Sequence, residues 1–558
     1  MRLAVPLIAF SAALALAAPG TAEDTPASTP ALAQAPVRAP VRPPRLIVAI
    51  SVDQFSADLF AQYREHYSHG FARLLQGAVF PSGFQSHAAT ETCPGHSTLL
   101  TGVHPSRTGV IANTWYDAAL GRDVYCAEDE ANPNSTVDDP VVSAGHLRAP
   151  TLGDLLKRKN PASLNVAVSA KDRAVAMMGG HSTDAAYWFK GKGFATYPGR
   201  SLSEAAQAEN VALAQSVGAG ADDLPMPDWC AALDRTLPLG AFSIGTYRFA
   251  LKPGDFKSFS RSPRMDAATA DMAIHLLDEM PLGKDDAPDV LSVSFSATDY
   301  VGHAYGTEGV EMCIQMAQLD QSIGRLLDAL DKRGLDYVVV LSADHGGIDA
   351  PERLKQQGYP AAARLDPSLT AKALSAAVSQ QTGIAAKSGD LFHGAGGSGD
   401  VWLAPGLAPK QRKTVIAALV ARLKANPQVA GAWTADELKA VNVPSGDPQD
   451  WTLAERFAAS YDSRRSGDVV MATKRAVVPG TAPVPGLAST HGSPWDYDRR
   501  VPILFWRDGL AHEEMPQPVE TVDIAPTLAA LVGLKEPAGT WDGRCLDIDG
   551  TEADSCAR

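Results

Sequence analysis

Apolar residues dominate three runs, 46–52, 291–298 and 337–343, and each run stops on an aspartate: Asp53, Asp299 and Asp344. Strands of a parallel sheet covered on both faces read as such near-continuous runs. Between the second and third runs, Met312, Met316, Leu319, Ile323, Leu326 and Leu330 recur at spacings of three and four residues. That period predicts a helix over roughly 308–333, ended by Gly334, with Tyr337 opening the next strand. A further run, 165–170, predicts a strand carrying Lys171, Asp172 and Arg173 at its end, and 501–506 predicts another. Residues 523–533 read as a capped closing helix. The alternation predicts an α/β fold with a largely parallel central sheet covered by helices on both faces. No internal repeat interrupts it.

Two spans fit the alternation poorly. Residues 191–263 are rich in Gly and Pro, and 349–485 mix helical pieces with Gly-rich turns. Both are expected to be insertions capping the site, inside a domain running from 44 to 540 and followed by a tail, 541–558. The amino terminus reads differently. Met1-Arg2, an apolar stretch from Leu3 to Ala18 and small residues around Gly20-Thr21-Ala22 predict a secretory signal peptide over 1–22. An Ala/Pro-rich tether over 23–43 follows. No later segment is apolar enough to span a membrane. The protein is expected to be exported, periplasmic or secreted, and soluble.

Composition narrows the function further. A formal charge of -14 with no long basic run argues against sequence-independent nucleic-acid binding as the main role. Export permits disulfides among Cys93, Cys126, Cys230, Cys313, Cys545 and Cys556, and the pairing is left open. Cys545 and Cys556 are close enough to clip the tail. None forms a Cys-x-x-Cys pair, so a cysteine-rich zinc site is not expected.

The chemistry lies at the strand ends, where ligands gather in open α/β sheets. Three carboxylates sent there repel one another unless a cation sits between them. Histidines accompany them in Asp299-Tyr300-Val301-Gly302-His303 and Asp344-His345-Gly346-Gly347, and His491 precedes the strand at 501–506. Each piece alone has an ordinary reading: an Asp-x-x-x-His pair by chance, an Asp helix cap, a turn, a loop histidine. Together they form a carboxylate–imidazole set suited to zinc. In Ala89-Thr90-Glu91-Thr92-Cys93-Pro94-Gly95-His96, Pro94 suits a first helical turn and places Thr92 at or just before the cap. A hydroxyl there sits beside unpaired N–H groups that can bind an anion, and it becomes a nucleophile once a metal lowers its pKa.

With Thr92-Cys93-Pro94-Gly95-His96, Asp53, Asp299/His303, Asp344/His345, His491 and the closing segment all in order, the chain resembles the alkaline phosphatase superfamily. Within it the likeness is to bacterial phosphate-irrepressible alkaline phosphatases, relatives of the nucleotide pyrophosphatase/phosphodiesterases. The resemblance implies two Zn2+ ions, one held by Asp53, Asp344, His345 and the Thr92 oxygen, the other by Asp299, His303 and His491. It also implies that Asn113, Lys171 and Arg173 bind the phosphoryl group. Without it, Asn113 reads as a turn residue and the basic pair as solvated. The reaction implied is hydrolysis of small-molecule phosphate monoesters through a phosphothreonine intermediate formed by in-line attack of Thr92. A monomer is favoured. Alternatives are a phosphodiesterase or nucleotide pyrophosphatase using the same zincs, or a non-catalytic zinc-binding protein. A sulfatase fits less well, because Cys93-Pro94-Gly95-His96-Ser97 departs from the Cys/Ser-x-Pro-x-Arg pattern of that branch.

Overall fold

The computed structural model describes residues 42–387, 389–394, 399–548 and 556. The signal-peptide and tether expectations, except for residues 42 and 43, lie outside them. The apolar runs form the middle of a nine-stranded sheet. In chain order its strands are β1 Leu46–Val52, β2 Ala78–Phe84, β3 Asn165–Ser169, β4 Ala185–Lys190 and β5 Gly193–Ala195. β6 Asp289–Phe295, β7 Tyr337–Ser342, β8 Arg500–Arg507 and β9 Glu513–Glu514 complete it.

Across the sheet the order is β9-β2-β8-β7-β1-β6-β3-β4-β5. The central strands β7, β1, β6, β3 and β4 are parallel. Toward one edge β8 pairs antiparallel with both β7 and β2, and at the other β5 folds back on β4. Every residue of β1 is buried, and alternate side chains serve opposite faces. Leu46, Val48 and Ile50 join Met312, Met316 and Leu319 in one core, while Ile47 and Ala49 join Leu99, Leu100, Leu152 and Leu155 in another. Helices therefore cover both faces.

The helices that matter for the site are α1 Thr92–Thr101, α2 Asp172–Gly179, α3 Glu204–Ala219, α4 Ala297–Tyr305, α5 Val310–Lys332 and α6 Ile524–Leu531. α5 follows the predicted period, and Gly334 takes the left-handed conformation (φ 64°) that ends it. α6 begins after a single 3₁₀ turn, Thr521–Asp523.

Three expectations need correction. The strand read as reaching Asp299 ends at Phe295, and Asp299 belongs to the first turn of α4. Span 191–263 contains a sixteen-residue helix, α3. Its buried residues Ala205, Ala206, Glu209, Leu213 and Val217 include too few large apolar side chains to show a period. Span 349–485 carries its own antiparallel sheet, with Phe392–Gly394, Asp400–Leu403, Val469–Thr473 and Val429–Thr434 in spatial order. Helices Ala371–Thr382 and Pro409–Ala425 cover it, and Leu374, Val378, Val401, Val415 and Leu419 form its apolar centre. The disulfides are Cys93–Cys126, Cys230–Cys313 and Cys545–Cys556. Among the described residues no helix is long and apolar enough to cross a membrane.

Candidate active site

Parallel pairing of β1 with β7 and β6 delivers the three carboxylates to one edge of the sheet. Asp53 directly follows β1, and Asp344 lies two residues beyond β7. Asp299 comes from α4, where His303 sits one turn further on the same face, its Nε2 3.2 Å from Asp299 Oδ1. His345 Nε2 is 3.3 Å from Asp344 Oδ2 and 3.5 Å from Asp53 Oδ1. His491, from the loop before β8, stacks on His345 with ring centroids 3.7 Å apart and brings Nε2 to 3.4 Å from Asp299 Oδ1.

Two trios are placed to hold a metal: Asp53, Asp344 and His345, and Asp299, His345 and His491. The first contains the protein side chains expected beside Thr92. The second shares His345 with the first, but the single Nε2 lone pair of that histidine can serve one ion only. His303 Nε2 and His491 Nε2 approach the same Asp299 Oδ1 at 3.2 and 3.4 Å, with ring centroids 5.0 Å apart. His303 Nδ1 lies 3.0 Å from the Ser489 carbonyl, and its side chain is 23% exposed.

The donor chemistry fits a divalent metal. Asp53 Oδ1 and His345 Nε2 are buried without a hydrogen-bond partner, which native proteins rarely tolerate. The Nδ1 atoms of His303, His345 and His491 each meet a backbone carbonyl, at 3.0, 2.9 and 2.8 Å. That arrangement turns each Nε2 toward the carboxylates, as metal-binding histidines require.

Electrostatics show how crowded the edge is. Burial and the Asp344 charge push the Asp53 carboxyl well above its usual range. Burial also opposes ionisation of Asp299, but His303 and Lys171 hold it well below that range. Burial lowers His345 to about 3 despite Asp344. It works against His491 too, yet the hydrogen bond to Asp299 raises that imidazole to about 9. Lys171 lies between the trios, its Nζ 2.6 Å from Asp53 Oδ2 and 2.5 Å from Asp299 Oδ2. The structure therefore places this lysine on the Asp53 and Asp299 carboxylates themselves.

Thr92, only 1% exposed, opens α1, and Glu91 rather than Thr92 is the cap. The amides expected to bind an anion are mostly engaged. Cys93 N donates to Asn113 Oδ1 at 2.8 Å, Pro94 has no N–H, and Gly95 N donates to the Glu91 carbonyl at 3.0 Å. The charge at Thr92 comes instead from Arg173, whose NH2 donates to Thr92 Oγ1 at 3.4 Å. Asn113 is tied down as well, its N–H donating to Glu91 Oε2 at 2.7 Å.

His96 carries a role that its place in the motif alone did not reveal. Its Nδ1 lies 2.9 Å from the Thr92 carbonyl and 3.0 Å from Asp344 Oδ2, and its Nε2 is 2.9 Å from Ser294 Oγ on β6. The only hint was its position, four residues after Thr92. Gly95 permits the same close docking, since a Cβ there would meet the Asp344 carbonyl oxygen at 1.9 Å.

Carboxylates, imidazoles and a buried hydroxyl at the carboxyl edge of an α/β sheet mark a hydrolase. A family model described as type I phosphodiesterase / nucleotide pyrophosphatase matches residues 47–494, and the chain belongs to that family, within the alkaline phosphatase superfamily. It is 48% identical over 521 residues to alkaline phosphatase PhoK of a Sphingomonas species, covering 92% of this chain and 93% of that protein. Alkaline phosphatase PhoD of Zymomonas mobilis is 46% identical over 519 residues, covering 92% and 89%. The crystal structure of alkaline phosphatase PafA, a protein of Elizabethkingia meningoseptica, matches with a TM-score of 0.80 at 28% identity, over 92% of this chain and 100% of that one. The chain is thus an enzyme, and the non-catalytic alternative is set aside.

Proposed function

We propose that this protein is an exported, two-zinc alkaline phosphatase that hydrolyses phosphate monoesters with Thr92 as nucleophile. The observation that carries the reading is the meeting of Asp53, Asp344 and His345 with Asp299, His303 and His491 beside the helix that His96 ties to Asp344. Mixed carboxylate and imidazole donors favour zinc over magnesium or calcium. Zinc bound there supplies Lewis-acid charge, which lowers the pKa of a hydroxyl and offsets phosphoryl charge.

The chain's own residues do the rest. Thr92 Oγ1 gives its proton to solvent and forms a bond to phosphorus as the P–O ester bond breaks on the opposite side. The leaving oxygen takes a proton from water, which gives phosphothreonine and the free alcohol. Water then attacks the same phosphorus, the Thr92 Oγ1–P bond breaks, a proton from that water restores the Thr92 hydroxyl, and inorganic phosphate departs. Arg173, already at the hydroxyl, binds phosphoryl oxygens in both steps. Asn113 spends Oδ1 on Cys93 N, which leaves its amide N–H groups for another phosphoryl oxygen. Such positioning and charge stabilisation account for most of phosphoryl-transfer catalysis.

Export is supported by the signal-like amino terminus together with disulfides, which persist in oxidising compartments. The family description keeps a second reading in view, a phosphodiesterase working through the same residues. One set of measurements tests both. Thr92→Ala is expected to stay folded and zinc-loaded while losing turnover, and native enzyme quenched during turnover should carry phosphate on Thr92. Chelation should abolish activity and zinc should restore it. A phosphoryl adduct on another residue, or a diester hydrolysed faster than a monoester with the same leaving group, overturns the assignment.

A further inference from the structure

Arg173 is aimed at Thr92 by a hydroxyl. Its NH1 donates to the Tyr125 oxygen at 3.4 Å, its NH2 to Thr92 Oγ1 at 3.4 Å, and its Nε is buried without a partner. Tyr125 in turn donates to Asp172 Oδ1 at 2.6 Å, an oxygen that also accepts the Arg173 backbone N–H at 2.6 Å. With its hydrogen committed to Asp172, the Tyr125 oxygen can only accept from Arg173. The direction of the chain is therefore fixed.

Tyr125 is itself anchored from two sides. It ends the hairpin strand Arg122–Tyr125, and the turn that follows is braced by the Arg122–Glu128 ion pair at 2.6 Å and by Tyr125 N donating to Glu128 Oε2 at 3.1 Å. The next residue, Cys126, is disulfide-bonded to Cys93, which follows Thr92. The phenol that orients the arginine is thus covalently tied to the helix that carries the nucleophile. The chemical type matters too. A carboxylate in this position would neutralise the guanidinium, whereas a neutral oxygen orients it and leaves its charge for the phosphoryl group.

We infer that Tyr125 is a positioning residue that holds Arg173 against Thr92 and the phosphoryl group transferred there. This rests on the assignment of Thr92 and Arg173 to phosphoryl transfer. The test is a double-mutant cycle of Tyr125→Phe and Arg173→Ala in the zinc-loaded enzyme, read as kcat/KM on a monoester and as inhibition by inorganic phosphate. Tyr125→Phe alone should lower kcat/KM about tenfold, the size of one hydrogen bond to a charged group, and weaken phosphate inhibition in parallel. In the Arg173→Ala background the same change should have almost no effect on either reading. Melting temperatures of all four proteins serve as the folding control.

An equal loss in both backgrounds means that Tyr125 acts through hairpin packing, and no loss in either means that it does not aim Arg173. Each result overturns the inference while leaving the phosphatase assignment intact. If Arg173→Ala itself leaves monoester turnover and phosphate inhibition unchanged, the underlying role of Arg173 fails, and the inference fails with it.

Discussion

Lys171 and Arg173 are two residues apart in sequence, yet they face different partners. Lys171 bridges carboxylates of both ligand trios, whereas Arg173 reaches the hydroxyl. Their removal should therefore leave different signatures. Arg173→Ala should cost a monoester dianion more than a diester monoanion, by roughly 1.5–3 kcal/mol for one charge-assisted hydrogen bond. Lys171→Ala uncovers two buried carboxylates, so its loss should appear first as altered zinc content and only then in turnover. Paired monoester and diester kinetics beside metal analysis of each variant distinguish the two. Equal losses on both esters for Arg173→Ala would make that residue structural and bring the diesterase reading forward. Only part of this was legible in the sequence. Strand-end aspartates and nearby histidines announced a metal edge, but a basic pair after a strand looks the same whether it binds substrate or neutralises ligands.

At the scale of elements, the long apolar runs were readable because burial on both faces leaves no polar alternation to confuse them. α5 was readable from large side chains at helical spacing. α3 was not, since its buried face begins with alanines that also occur freely in loops. The antiparallel pairing of β8 was hidden as well, because the run 501–506 says nothing about direction. The docking of α1 on the Asp344 loop depends on a contact that no sequence period reports. Gly95 makes that contact possible, and the atoms that an added Cβ would strike are backbone atoms of Asp344, the nearest at 1.9 Å. Gly95→Ala is expected to destabilise the fold by about 1–3 kcal/mol, as overpacking does, and to lower zinc content by shifting Asp344. Denaturant unfolding and metal analysis check it. Native stability with a full zinc complement would show that α1 can move away from the loop without disturbing the ligands.

Across the whole molecule, the segment near the carboxyl terminus is bound to the helix that begins with Thr92. Asp542 N donates to the Gly102 carbonyl at the end of α1, and His104 joins the same junction. Its Nδ1 lies 3.0 Å from Asp542 Oδ2, and its Nε2 lies 2.9 Å from Ser86 Oγ and 3.3 Å from Glu520 Oε2. Burial disfavours the imidazolium, but hydrogen bonds to Asp542 and Glu520 outweigh it and raise His104 to about 9. Burial likewise opposes ionisation of Asp542, and the bond from His104 still depresses it to about 2. A histidine raised above its unfolded pKa of about 6.5 contributes fully below that pH and loses its contribution as pH rises through the folded value. Asp542 has the opposite sign, so its share disappears only in acid, between about pH 4 and the folded value. Over the alkaline range the histidine governs. His104→Gln should therefore be less stable than the native protein by on the order of 2–3 kcal/mol near about pH 6, with the gap closing toward about pH 10. Unfolding curves for both proteins across that range give the comparison. A gap as wide at the alkaline end as at the acid end would mean that His104 stabilises by packing alone, with no charge shared between the tail and the Thr92 helix.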